Sequence, residues 1–408
     1  REDDGVLRDG ELGMKKIMLI TPMLHQGGFE RVCVMTARLL QEDYEVVVVV
    51  FSMEDIAFDI SGIKVIDLKL PARKGKLGKL FNILRRCLKL SFLQRRLKTD
   101  VSYSFGMSAN ISNALSFGAK KKIAACHSFE EIKDNSYMKL IGRHADMVVC
   151  CSKKMTELTK NLYGFDHVRT LWNPCDIEEI LEQSSHTKEE DLMFFRSGHK
   201  VLVSMGREDD VKGFWHLLKV FRKIYENEPD SRLAVIGEGN FEEYKKLADE
   251  LGIRDRVLFT GLKKNPFPYL RLSACYLLTS LSEGLPNALV EALALSLPIV
   301  SVNCLSGPAE ILNRDWQEAE GKEETYLADF GILTPRLPEK RDFTVTWKDE
   351  GKKELLLEKS QEEFAKAVIG LFQDRALYDK YRESALGRAR DFSKEAYLKG
   401  LVSCIDNL

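Results

Sequence analysis

Three observations predict an α/β protein with two doubly wound domains facing a cleft. Short apolar strands alternate with helical patterns along nearly the whole chain, the signature of parallel sheets covered on both faces. Both halves open on one plan, a strand, a glycine-bearing loop and a helix: KIMLITPMLHQGGFERV first, KVLVSMGREDDVKGFWHLL later. Between them Glu182–His199 is polar and poor in strand pattern, as a linker would be. The 408 residues suffice for two domains with sizeable cores.

The elements follow in order. Residues 1–13 are polar, glycine-bearing and aperiodic, and read as an unstructured tail or expression remnant before a natural start at Met14. Domain one, residues 14–185, offers strands KIMLIT, EVVVVVF, IKVIDL, VSYSF, KKIAACHS, DMVVCCS and VRTLWN, with a helix through ERVCVMTARLL. Domain two, 186–385, offers KVLVSM, RLAVIG, RVLFTG, CYLLTSL and PIVSVN, with helices in GFWHLLKVFRKI and FEEYKKLADELG. A charged interruption, Gln317–Gly351, is expected to form an inserted loop or hairpin around DFGILTP. Helical patterns close the chain, with 386–408 assigned to terminal helices.

Composition narrows the class. A net charge of -1 excludes no partner, since local patches can still be strongly signed. Nine scattered cysteines with no CxxC pair point to buried thiols in a reducing compartment, and no zinc spacing appears, so no metal site is expected. No apolar run reaches the ~18 residues that span a bilayer.

Ligands of such folds sit beyond the carboxyl ends of strands, where the chemistry-bearing residues fall. SEGLPNALVEALALS follows a buried strand, with Glu283 in the loop and Glu291 about one turn into a helix expected to start near Asn287. A carboxylate among Ala288, Leu289, Ala292 and Leu293 needs hydrogen-bond donors, which sugar hydroxyls supply; the alternative is that Glu291 caps another segment or faces solvent. The helix entrance, Leu285 to Ala288, favours an anion between the two acids. In GREDDVKGF, Arg207 and Lys212 flank a strand-to-helix loop, where two cations suit a diphosphate and neutralise charge on a leaving nucleotide; a solvated loop is the alternative. Gly27 and Gly28 permit close backbone approach, or simply make a turn. His127 ends a predicted strand on the cleft side, a position equally open to a structural histidine.

Residues 73–98 differ in kind, with ten Lys or Arg and no acid. Leu77, Leu80, Phe81, Leu84, Leu88, Phe92 and Leu93 recur at helical spacing. A basic amphipathic helix suits an anionic membrane surface or anionic acceptor, through Arg73, Lys74, Lys76, Lys79, Arg85, Arg86, Lys89, Arg95 and Arg96. A core-facing helix with a solvated basic face is the alternative. No nucleic-acid motif accompanies the patch.

In this order GGFERV, CHS, NPCDI, GR followed by KG, VIGEG, VLFTG, NPFPYL, EGLPNALVEALA and SGPAEIL resemble the retaining glycosyltransferases of family four, which have the GT-B fold. The resemblance runs from about Met14 to Leu408 and is weakest across Gln317–Gly351. It implies two Rossmann-like domains with a terminal helix crossing back to the first. It also implies that Glu291 holds ribose hydroxyls and Glu283 donor-sugar hydroxyls. Backbone groups of Gly284, Leu285, Pro286, Asn287 and Ala288 would touch sugar and phosphate. Arg207 and Lys212 would bind the diphosphate, with Gly27 and Gly28 approaching from the other domain, His127 beside the sugar, and Gly261 and Leu262 at the base. Asn173 would lie at the domain junction.

The resemblance further implies transfer of a hexose or N-acetylhexosamine from a nucleotide diphosphate sugar, with UDP the expected nucleotide, to a membrane-linked glycan or lipid, without metal or other cofactor. Capsule, exopolysaccharide and lipid-linked oligosaccharide transferases share NPFPYL with SGPAEIL, placing the enzyme on the inner face of the membrane, peripheral and cytoplasmic. A glycosidase with paired acids, a nucleotide-sugar epimerase of the same fold and a non-catalytic membrane-associated partner subunit are the rival expectations.

Overall fold

The computed structural model describes residues 14–25, 27–54, 56–133, 136–186, 192–196, 198–349, 351 and 354–408. The expected tail, 1–13, and part of the expected linker lie outside them. Seven strands form the first sheet: β1 Lys16–Thr21, β2 Glu45–Val50, β3 Val65–Asp67, β4 Val101–Phe105, β5 Lys121–Cys126, β6 Met147–Cys150 and β7 Val168–Thr170. Seven more form the second: β8 Lys200–Met205, β9 Ser231–Ile236, β10 Val257–Gly261, β11 Cys275–Leu278, β12 Ile299–Val302, β13 Tyr326–Leu327 and β14 Ile332–Thr334.

The strand orders are 3-2-1-4-5-6-7 and 10-9-8-11-12-14-13. Both sheets therefore repeat one winding: the first strand lies inside and the order reverses beside it, between β1 and β4 and between β8 and β11. Such reversals open the crevice where ligands bind in α/β sheets. Pairing is parallel except for β13 with β14, where Leu327 faces Ile332. The charged interruption thus carries a hairpin, and its second strand joins β12 in parallel. Strands such as EVVVVV read as unbroken apolar runs because helices cover both faces of a parallel sheet, and five of its six residues are buried.

The chain crosses between lobes twice. Helices Lys359–Gln373 and Arg375–Ala389 stay with the second lobe, whose cores take Phe364, Val368, Tyr381 and Ala385. The last helix, Lys394–Asp406, returns to the first lobe and packs Tyr397, Leu401 and Ile405 beside Ile17, Leu19 and Val32. Its Tyr397 hydroxyl lies 2.7 Å from Thr36 Oγ1. At the crossing, Cys175 N–H donates to Phe392 O at 2.9 Å and Lys394 N–H donates to Cys175 O at 3.0 Å, so NPCDI is stitched to the returning segment.

Candidate active site

The second lobe's crevice brings two loops together. The loop after β8 carries Arg207 and a short 3-10 turn, Asp210–Lys212. Gly213 follows at φ 61°, and a Cβ there would stand 2.4 Å from Thr279 O, so only glycine lets this loop lie against the end of β11. Lys212 Nζ consequently meets Glu283 Oε1 at 2.7 Å. The helix Asn287–Ala294 starts where expected, behind Pro286. Pro286 supplies no N–H, so the anion-binding donors of the entrance are narrower than Leu285 to Ala288 suggests. Arg207 is exposed at the rim, and β10 ends at Gly261, φ 68°, before a half-exposed Leu262.

The first lobe presses on this loop. A Cβ on Gly284 would lie 2.1 Å from His127 O and 3.1 Å from Cys151 Sγ, so glycine permits backbone contact across the lobes. Ser306 Oγ donates to Gly284 O at 2.9 Å and lies 2.7 Å from Ser152 Oγ. His127 follows β5, its backbone N–H held by Glu131 Oε2 at 2.6 Å. Its Nδ1 lies 3.2 Å from Asn173 Oδ1, and Asn173 Nδ2 donates to Asn287 Oδ1 at 2.9 Å. That chain assigns the His127 proton to Nδ1 and leaves Nε2 as an acceptor, buried and with no hydrogen-bond partner. Burial lowers the imidazole pKa to about 4, with the Asn173 bond opposing, so the ring is neutral at pH 7.

Two residues missing from the expectations sit here. The diglycine opens the helix Gly28–Leu40, whose first turn reaches the acid-bearing helix of the second lobe. Arg31 Nη1 meets Glu291 Oε1 at 2.5 Å, an ion pair across the lobes, so Glu291 is buried and neither caps a helix nor faces solvent. Glu30 is 7% exposed, and its Oε2 lacks a partner. Burial raises its pKa to about 7, opposed by its own backbone N–H and by Arg207 and His25. The signal for both was the Glu30-Arg31 pair one residue behind the diglycine, after Phe29, which reads locally as an ordinary first helical turn.

Glu310, quoted only within SGPAEIL, joins the lobes. Its carboxylate accepts from Lys153 N at 2.7 Å, Lys154 N at 2.8 Å and Trp172 Nε1 at 3.1 Å, capping the first-lobe helix Lys153–Tyr163. Lys154 Nζ also meets Glu320 at 2.7 Å.

The basic helix spans Lys76–Leu97 with an arrangement opposite to a core-facing one. Its protein-facing side is largely polar: Asn82, Arg86, Cys87, Leu90, Ser91 and Gln94 are buried. Leu77, Leu80, Phe81, Leu84, Leu88 and Phe92 are exposed, Leu77 at 85%. Leu93 is half-buried. One assigned cation needs correction. Arg86 is buried, donates to Leu70 O at 2.7 Å and stacks 4.1 Å from the Phe51 ring centroid, because the helix covers the sheet edge with this side chain. Lys89 is exposed, and its ammonium also donates to Leu68 O at 2.7 Å. Arg73, Lys74, Lys76, Lys79, Arg95 and Arg96 are exposed, and Arg85 is half-buried.

The chain matches the family described as glycosyltransferase family 4 over residues 26–179 and glycosyl transferases group 1 over 188–318, so the two models together account for most of both lobes. The chain belongs to the family-four glycosyltransferases of the GT-B fold. It is 28% identical over 340 residues to an uncharacterised glycosyltransferase of Methanocaldococcus jannaschii, covering 78% of this chain and 82% of that one. It is 25% identical to a Campylobacter jejuni N-acetylgalactosaminyltransferase acting on diacetylbacillosaminyl-diphospho-undecaprenol carrying N-acetylgalactosamine, covering 74% of this chain and 84% of that one. In fold it resembles Anabaena HepE, solved with UDP, at a TM-score of 0.72 and 18% identity over 96% of this chain and all of HepE. This transferase has no helix, among the described residues, long and apolar enough to cross a membrane.

Proposed function

We propose that the transferase moves a hexose or N-acetylhexosamine, with retention, from a UDP-sugar to a hydroxyl of a lipid-linked glycan at an anionic membrane surface. The observation that carries this reading is the Lys212–Glu283 pair at the second lobe's strand-order reversal, with Lys212 in the loop after β8 that also carries Arg207 and Glu283 ahead of the helix that carries Glu291 one turn in. Arg207 and Lys212 hold the diphosphate and offset the charge that grows as it leaves. With two side-chain cations in that role, no metal is required. Glu283 receives donor-sugar hydroxyls, Glu291 the ribose hydroxyls, and the unpartnered Nε2 of neutral His127 accepts from a further sugar hydroxyl. In the reaction the acceptor oxygen bonds to the anomeric carbon on the face that the diphosphate leaves. The anomeric C–O bond breaks, its electron pair goes to the diphosphate, and the acceptor's proton follows to the same group.

The exposed leucines and phenylalanines of Lys76–Leu97, rimmed by cations, support docking on a cytoplasmic membrane face. The named substrate of the Campylobacter relative, a diphospho-undecaprenol glycan, supports the acceptor class. The test is a donor panel with purified protein, each common nucleotide sugar and membrane lipid extract, reading free nucleotide. UDP release that depends on lipid is expected. Release from no UDP-sugar, or loss of transfer on adding chelator, would overturn the corresponding part. Isomerised donor without acceptor would instead mark an epimerase.

A further inference from the structure

We propose that Arg31 is a positioning residue that couples ribose recognition to closure of the two lobes, a role resting on the assignment of Glu291 to the ribose. The first turns of two helices from different lobes lie against each other. Gly28 faces Asn287, whose Nδ2 would be 4.0 Å from a Cβ on Gly28. One turn further along each helix, Arg31 faces Glu291. The helices Gly28–Leu40 and Asn287–Ala294 are thus in step, both entrances turned toward the cleft.

The Arg31–Glu291 contact is 260 residues apart in sequence and crosses the lobe boundary. The Glu291 side chain is 9% exposed and the Arg31 side chain 32% exposed. A carboxylate this buried is oriented by its partner; without the guanidinium the group is free to turn toward water and no longer presents its oxygens to a hydroxyl in one fixed direction. Arg31 engages Oε1, and in the proposed complex Oε2 takes the ribose hydroxyl. Asn173, bonded to both His127 and Asn287, runs a second tie across the same boundary. The acid that reads the ribose belongs to the second lobe, but the group that orients it belongs to the first. Opening the lobes would separate them, so ribose affinity is expected to be high only in the closed form.

The experiment measures binding of UDP, GDP and ADP by calorimetry, then compares the tightest with its 2′,3′-dideoxy analogue on wild type, Glu291→Ala and Arg31→Met. Wild type should prefer the ribonucleotide by about tenfold or more, the scale of a hydrogen bond to a charged group. Glu291→Ala should lose that preference. Arg31→Met should bring it to within about threefold by weakening the ribonucleotide and leaving the dideoxy analogue's affinity near wild type. A wild-type preference in Arg31→Met, with Glu291→Ala having lost it, overturns the role of Arg31 alone. Retention in Glu291→Ala, or no preference in wild type, overturns the ribose assignment itself. Arg31→Gln is read in the same way, with thermal midpoints on both, so that one poorly folded variant does not decide the result.

Discussion

Replacing Leu88 and Phe92 together by serine tests the proposal that the helix Lys76–Leu97 docks on a membrane, without touching the cleft. The two side chains are 63% and 67% exposed in the free protein. Full burial of such a side chain stabilises by about 1.5–3 kcal/mol, so roughly two-thirds of that, about 1–2 kcal/mol each, is still available to a membrane. The double variant should therefore lose about 2–4 kcal/mol of membrane affinity, or roughly 30- to 1000-fold in partition. Six exposed cations, Arg73, Lys74, Lys76, Lys79, Arg95 and Arg96, add roughly 1 kcal/mol apiece when they lie near an anionic surface. Arg86 is left out because it is buried against Phe51 and the Leu70 carbonyl, and Lys89, though exposed, because its ammonium is drawn in to the Leu68 carbonyl. The assay is co-sedimentation with sucrose-loaded vesicles, anionic and neutral, at low and high salt. Wild type should bind anionic vesicles, bind neutral ones weakly and come off as salt shortens the screening length. The variant should remain in the supernatant, with a thermal midpoint close to wild type because exposed substitutions shift stability by about half a kcal/mol or less. If the variant sediments like wild type, or wild type ignores lipid charge, the outward apolar face is not a membrane surface.

Three further outcomes follow from the buried charges. Glu30 is protonated more readily in the folded chain than in the unfolded one, its pKa being raised to about 7, so its contribution to stability is complete below about pH 4.5 and is lost as pH rises through 7. Glu30→Gln should gain about 1–2 kcal/mol over wild type at pH 8 after allowance for water in the cleft, and little at pH 4.5; equal denaturation-midpoint differences at both pH values would refute this. Glu310→Ala strips three donors of their acceptor and should cost about 3 kcal/mol in urea unfolding; a cost under about 1 kcal/mol would mean water replaces the carboxylate. Lys212→Met should cut kcat/KM for the donor by about 30- to 300-fold, since it removes a diphosphate cation and leaves Glu283 unpaired; a change below threefold would remove Lys212 from the site.

The strands, the two-lobed winding and the helix beginning at Asn287 were legible because each depends on neighbours in sequence: period, run length and a proline at the entrance. The candidate loops were legible for the same reason, since a ligand crevice forms at strand ends and Arg207, Lys212 and Glu283 all follow strands. The side chains' partners were not. Arg31 and Glu291 stand 260 residues apart and meet only because two separately wound lobes bring their helices into step. Glu310 caps a helix that begins more than 150 residues earlier. The basic helix shows the same divide most simply. Its charges and leucines are a matter of spacing, but which stripe faces water depends on the sheet edge beneath it, where the carbonyls of Leu68 and Leu70 take Lys89 and Arg86 while Leu77, Leu80, Leu84 and Leu88 face outward and Leu90 packs inward. Local periodicity carries the elements; the direction in which each element is turned belongs to contacts distant in the chain.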